Sequence, residues 1–360
     1  MRTRLSIFFG IFAVMALSNA IVPVLPAYAE SSALQGTIYA AYFLGAFLST
    51  LPGGILSDRY GRVPIMRIGL AITVTSGLLL SVVVAPFPVI VARIIEGVGG
   101  GFFVAAAMSY VNSLPDHEKK SGYFMALLNA GLVIGLVFSG WLAAQIPNPA
   151  AGILVFAGLA LIPATASFFV REPAAAVTSL GNHNALIPLV KEYRWLWYSA
   201  VIIIGITGVI TSLYPEFSGY STESVGIWIS LMSVATIVGV LVASRLSLPP
   251  VPTIRWSAIL MVIAVMVSYF SPLGLVVIGI GAGVVMISQM TFLAQVKDHQ
   301  GVAMGLFSTA TYLGMAALPF IAGLIADSTG FFYAFCATAL FAFTVFLTID
   351  RCGCQLHRTL

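Results

Sequence analysis

The sequence predicts an all-α membrane protein, twelve transmembrane helices arranged as two pseudo-symmetric six-helix bundles, and three observations carry that expectation. The first is composition. Of the 360 residues 60% are hydrophobic and 8% charged, with a mean hydropathy of +1.05, whereas a typical soluble domain carries about 25% charged residues. No soluble core hides that much apolar surface. The second is the placement of the bases: with the apolar stretches read as spans, one face of the membrane holds every lysine and arginine except Arg93, which lies inside a span. Loops rich in Lys and Arg stay in the cytoplasm. The third is a repeat at half the chain length, the mark of a duplicated bundle.

The spans run over residues 5–26, 34–54, 65–85, 88–111, 122–145, 150–170, 194–216, 224–245, 254–270, 273–295, 301–326 and 331–349. Most reach the ~20 residues that a helix needs to cross ~30 Å of hydrocarbon. An even number of spans puts the N- and C-termini on the same side, and the bases make that side cytoplasmic, in the plasma (cytoplasmic) membrane. The first span imitates a secretory signal, with Arg2 and Arg4, an apolar run and Ala27-Tyr28-Ala29 before Glu30. It is expected to stay, because its removal would delete the first member of the repeat. Pro23 and Pro26 break or bend its outer end and free backbone carbonyls there.

The polar stretch from Arg171 onward, with Pro173, Gly181, Asn182 and His183, reads as a cytoplasmic linker. It divides the chain into an N-terminal bundle (1–170), a linker (171–193) and a C-terminal bundle with a short tail (194–360). Trp195, Trp197 and Tyr198 open the seventh span as an interfacial aromatic belt. On the tail, Cys352, Cys354 and His357 fall short of the four ligands of a structural metal site, so no metal and no cofactor are expected. The net charge of +4 comes from bases scattered one to three per loop, which suits anionic lipid headgroups better than nucleic acid.

The repeat is carried by glycines. Gly97, Gly99 and Gly101 in the fourth span are answered by Gly279, Gly281 and Gly283 in the tenth. In the fifth, Gly131 to Gly135 followed by Ser139-Gly140 is answered 183 residues later in the eleventh by Gly314 to Leu318 with Pro319, followed by Ala322-Gly323. Small residues at i and i+4 let helix backbones approach closely in lipid, and between halves that rock they also ease sliding.

Between the second and third spans the chain reads Gly54-Ile55-Leu56-Ser57-Asp58-Arg59-Tyr60-Gly61-Arg62-Val63. Asp58 at a helix end can accept hydrogen bonds and pair with arginines, while Gly61 permits a tight turn. The stretch resembles the signature loop of the major facilitator superfamily, G-x-L-(a/s)-D-R-x-G-R-(R/K), departing from it at Val63. Arg93-Ile94-Ile95-Glu96-Gly97-Val98-Gly99 resembles that superfamily's fourth-helix motif, with Glu96 where glutamine is usual. Gly131 to Gly140 resembles the fifth-helix motif of its drug:proton antiporter branch, G-x-x-x-G-P-x-x-G-G, with Leu136 for the proline and Ser139 for the first terminal glycine. The second copy of the signature loop has decayed to Val242-Ala243-Ser244-Arg245. The resemblance implies the two-bundle fold, alternating access, and gating by Gly54, Asp58, Arg59, Gly61 and Arg62 in the N-terminal half.

Ionised groups at mid-membrane cost ~2.5 to 3.5 kcal/mol on insertion scales, so those retained are functional candidates. Arg93 and Glu96 qualify. Three residues apart on one helix face, they can offset part of each other's desolvation, either as a coupling or substrate site or as a structural pair. Asn19, beside the proline break, joins them. Asn129, Thr207, Gln289 and Tyr312 serve either as interhelical hydrogen-bond partners or as cavity lining, and Trp228 anchors its helix or lines the cavity.

No G-x-x-x-x-G-K-[ST], no H-E-x-x-H and no nucleophile elbow occur, which removes the evident routes to ATP-driven transport and to membrane-embedded catalysis. The expected activity is secondary transport by a monomer: proton-coupled efflux of an amphipathic or apolar small molecule. Uptake or facilitated diffusion of a small metabolite, and a receptor-like protein without turnover, are the rivals.

Overall fold

The computed structural model describes residues 5–112, 114, 117–146, 148–170, 186–246, 248–294 and 300–351, and among them every regular element is helical. Twelve principal helices follow one another: α1 (Gly10–Ala20), α2 (Ser32–Tyr60), α3 (Arg62–Leu80), α4 (Pro86–Asn112), α5 (His117–Gln145), α6 (Ala151–Ser167), α7 (Arg194–Phe217), α8 (Thr222–Arg245), α9 (Pro250–Phe270), α10 (Leu273–Ala294), α11 (Gln300–Thr329) and α12 (Phe331–Thr348). Eleven of the spans are long and apolar enough to cross a membrane, and α6, at 17 residues, is shorter. Leu154, Leu161, Leu340 and Leu347 stand exposed on α6 and α12, apolar surface that lipid covers. An even number of passes brings both ends of the described chain to one face, called inner below; the opposite face is outer.

Local chemistry sets the helix ends. In α1 every residue but Phe12 is buried. The helix then tightens into a 3-10 segment, Val22–Ala27, because Pro23 and Pro26 have no N–H to give. Val24 N donates to Ile21 O at 3.1 Å, which releases Ala20 O, and the Ser139 hydroxyl of α5 donates to that freed carbonyl. The serine that stands in place of a motif glycine thus seals the proline break. Ser31 caps α2 by accepting from Leu34 N. At its far end α2 stays helical through Tyr60, past the apolar limit of the span, so the signature stretch is helix up to a single turn residue. That residue, Gly61, has φ +97°, a conformation that strains any side chain. Gly330, at φ +100°, makes a turn of the same kind between α11 and α12, at the other face. At the inner end of α6, Arg67 of α3 donates from Nε to Ser167 O (3.1 Å) and from its terminal nitrogen to Phe168 O and Val170 O. One guanidinium therefore satisfies carbonyls that the helix end leaves open.

The helix contacts repeat six helices on. The pairs α1·α5, α1·α6, α2·α4, α3·α4 and α3·α6 of the first half recur as α7·α11, α7·α12, α8·α10, α9·α10 and α9·α12 in the second. Two further pairs join the halves and exchange under the same operation, α2·α11 and α5·α8. The repeated glycines sit at matching crossings: a Cβ at Gly97 would strike Tyr42 O of α2, and one at Gly279 would strike Met232 O of α8. Likewise Gly131 abuts Phe12 O and Gly314 abuts Val201 O, while Gly135 abuts Ala16 O and Gly101 the Ser49 hydroxyl. Leu186–Glu192 forms a short helix ahead of α7, pinned by Trp197 Nε1 donating to Leu189 O at 3.1 Å. Trp197 is buried there, which removes it from the interfacial belt expected of it.

Candidate functional site

The seam between the halves is closed toward the outer face. Ser32 at the start of α2 donates to Glu216 Oε2 of α7 at 2.6 Å, with Asp327 of α11 close enough to act on that carboxylate. Thr222 of α8 donates to Gly140 O of α5 (3.3 Å), and about two turns further in Ser230 donates to Val133 O. Backbones touch at the same level: built Cβ atoms would lie 2.5 Å from Pro319 O at Gly36, 2.5 Å from Thr222 O at Gly140, and 2.7 Å from Leu136 O at Gly226. Toward the inner face, Gly54 on α2 and Gly305 on α11 have no atom within 4 Å of such a Cβ. These hydrogen bonds and close backbone contacts between the halves lie toward the outer face.

Behind this seam lies the charged pair. Arg93 is 1% exposed and Glu96 0%, and an Arg93 terminal nitrogen donates to Glu96 Oε2 at 2.6 Å. One helical turn apart on α4, the two side chains meet as their spacing requires. The guanidinium also lies over the Tyr42 ring of α2, 4.8 Å from its centroid, and Arg93 Nε reaches Ile38 O at 3.5 Å. Close α2·α4 packing makes these contacts possible, since a side chain at Gly97 would push α2 away. The other carboxylate oxygen, Glu96 Oε1, is buried without a hydrogen-bond partner among the described residues. A buried carboxylate with an idle oxygen is costly to keep, so the pair retains capacity for a further donor.

Aromatic rings extend from the pair to the second half. Phe43 packs tilted against Tyr39 and edge-to-face against Tyr42, and its ring centroid lies 6.4 Å from that of Tyr312 of α11. Tyr39 is buried and its ring would meet a Cβ at Gly208 of α7 at 3.4 Å. Tyr312, Phe43 and Trp228 are each half-buried. The amides are placed otherwise. Gln289 is fully enclosed and donates to Ser199 of α7 at 2.8 Å; Asn19 donates to Leu132 O of α5 at 3.4 Å; Asn129 donates to Met125 O of its own helix. Gly140 and Pro319, grouped with the packing residues in the sequence, stand in the seam between the halves.

Of the signature stretch, Gly61 makes the α2–α3 turn, Arg62 opens α3, and exposed Arg59 lies over the Tyr60 ring at 5.3 Å. The Asp58 side chain lies outside the described residues, as do Cys352, Cys354 and His357. Sequence reasoning missed Tyr39, Tyr42 and Phe43 around Arg93, Ser32 opposite Glu216, and Arg67 at the end of α6. Only the run Tyr39 to Phe43, aromatic in three of five positions, carried a readable signal.

Comparison with known proteins agrees with this geometry. A family model described as Major Facilitator Superfamily matches residues 7–317. The chain is 24% identical over 350 residues to the quinolone resistance protein NorA of Staphylococcus aureus (strain MSSA476), covering 89% of each. Among solved structures it is similar to a bacterial homolog of the human lysosomal transporter Spinster, in an inward-facing and occupied conformation (TM-score 0.78, 13% identity, 97% of this chain and 95% of that one). It is also similar to the nucleoside transporter NupG (TM-score 0.75, 14% identity, 98% and 99%). At these identities the two structures speak for the fold.

Proposed function

The chain belongs to the major facilitator superfamily of transporters, and on that premise we propose that it exports an amphipathic or apolar small molecule across the plasma membrane in exchange for protons. Its inner face, with both termini, is cytoplasmic, as the distribution of lysine and arginine supports. The halves, residues 1–170 and 194–360, rock about a substrate site at their interface, lined by Phe43, Tyr312 and Trp228. The described conformation is then the one that receives substrate from the cytoplasm. The similarity to NorA, a quinolone resistance protein, supports an efflux role.

The observation that carries the coupling is the buried pair with an idle oxygen. When Glu96 is ionised, Arg93 is neutralised in place and the pair adds no net charge to a closed site. When Glu96 takes a proton, the bond from Arg93 loses its charge assistance, and the guanidinium is left unbalanced against the Tyr42 ring and Ile38 O. Water must then reach it, or it must move, and either change accompanies a rearrangement of α4 on α2. Asp58, Arg59 and Arg62 would latch the cytoplasmic side in the opposite state.

The test uses purified protein in vesicles. Glu96→Gln should abolish the pH dependence of transport while substrate exchange at equal pH continues, and Arg93→Ala should abolish gradient-driven movement. Unchanged pH dependence in Glu96→Gln would reduce the pair to a structural contact.

A further inference from the structure

A cavity of about 360 Å³ lies in the outer part of the seam, away from Arg93 and Glu96. One wall belongs to the first half, with Pro23 and Pro26 after α1 and Asn148 after α5; the other belongs to the second, with Pro215, Tyr220 and Val225. We propose that this cavity is a binding site for a neutral, ring-sized amphipathic molecule arriving from the outer aqueous phase, and that its occupancy holds the transporter sealed on that side.

Three features argue for a ligand of this kind. The volume falls at the low end of the ~300 to 1,000 Å³ typical of small-molecule sites. No charged residue lines it, so an ion would be desolvated there without compensation. Proline rings on both walls have no backbone N–H and a fixed φ, so the cavity is pre-formed rather than filled by relaxation. Its polar groups define the ligand further. Thr222 already donates to Gly140 O, and Asn148 Oδ1 already accepts from Ala150 N. The Asn148 amide and the Tyr220 hydroxyl are the groups left to meet a single acceptor on an otherwise apolar body.

The consequence follows from where the walls come from. The cavity is bounded by both halves beside the Thr222 bond, so it exists only while the outer seam is closed. A molecule that binds one of two states stabilises it by mass action, a shift of about 100-fold at 100 times its dissociation constant. Such a molecule would inhibit without competing at the central site. The inhibitory part rests on the alternating-access reading above; binding does not.

The experiment tethers the probe. In a chain with Cys336, Cys352 and Cys354 replaced by serine, Ala143→Cys, whose alanine lines the cavity, is modified with benzyl methanethiosulfonate or with its methyl analogue. The benzyl adduct should raise the melting temperature and slow outer-side labelling of a thiol-free reporter, p-acetylphenylalanine in place of Phe43 reacted with an impermeant hydroxylamine, by tenfold or more; the methyl adduct should do neither. The same benzyl group on Ile146→Cys, exposed and outside the cavity, should have no effect. A benzyl adduct at Ala143→Cys that lowers the melting temperature, speeds outer labelling or changes nothing would overturn the proposal. Should Ala143→Cys not fold, Ala27→Cys on the same wall repeats the test. The melting shift needs no transport, so failure of the site and failure of the transport reading are seen separately.

Discussion

Gly36→Ala should trap the transporter open to the outside. A methyl group at this position of α2 would lie 2.5 Å from Pro319 O of α11, where ordinary contact begins at 3.4 Å, so the two helices must separate by about 0.9 Å. The atom in the way is backbone and cannot rotate aside. Overpacking of this kind costs about 1 to 3 kcal/mol. Because the contact joins the two halves, the cost falls on the sealed conformation alone and shifts the balance ~5- to 150-fold toward the state in which the outer seam is parted. The assay is labelling of Phe43→Cys by an impermeant thiol reagent from the outer side, with thermal melting measured in parallel. Labelling should accelerate at least about 5-fold in Gly36→Ala, while melting changes little. Gly97→Ala provides the contrast, since its clash with Tyr42 O lies within one bundle and should lower the melting temperature in every state. Unaltered labelling in Gly36→Ala together with a lowered melting temperature would refute the argument, because the contact would then hold the fold and not the conformation.

Two further outcomes follow from the same structure. Arg67→Ala strands the carbonyls of Ser167, Phe168 and Val170 and should lower stability by about 1 to 3 kcal/mol, read by thermal melting, with Arg67→Lys recovering only part because a single ammonium cannot span all three. Cysteines at the exposed positions Ser221 and Ser328 should react with an impermeant reagent applied to whole cells, whereas one at exposed Lys191 should react only after permeabilisation.

Much of this architecture was legible because a bilayer makes hydropathy decisive. Apolar runs, the one-sided bases and the glycine repeat marked the helices and the duplication, and the spacing of Arg93 and Glu96 gave their contact directly. The proline break after Asn19 was legible too, and its freed carbonyl is the one Ser139 takes. Helix ends were not. The apolar run of the second span stops near Gly54, but backbone hydrogen bonding is indifferent to hydropathy and carries α2 on to Tyr60. Contacts between distant segments were not legible either. Arg67 and Ser167 lie 100 residues apart and Ser32 and Glu216 lie 184 apart, so no local pattern ties them. The amides show the same limit. Gln289 and Asn129 looked alike as polar residues in spans, and only packing shows one bonded to a neighbouring helix and the other to its own.

The most direct test of the account is whether a proton gradient alone moves substrate through the purified protein. Vesicles containing it, loaded with a fluorescent amphipathic dye, are given an inward or an outward pH gradient, with an ionophore clamping the membrane potential, and dye movement and internal pH are followed together. The account predicts dye movement opposite in direction to proton flow, reversing when the gradient is reversed and absent in Arg93→Ala. Dye movement that ignores the pH gradient, or that proceeds unchanged in Arg93→Ala, would contradict it.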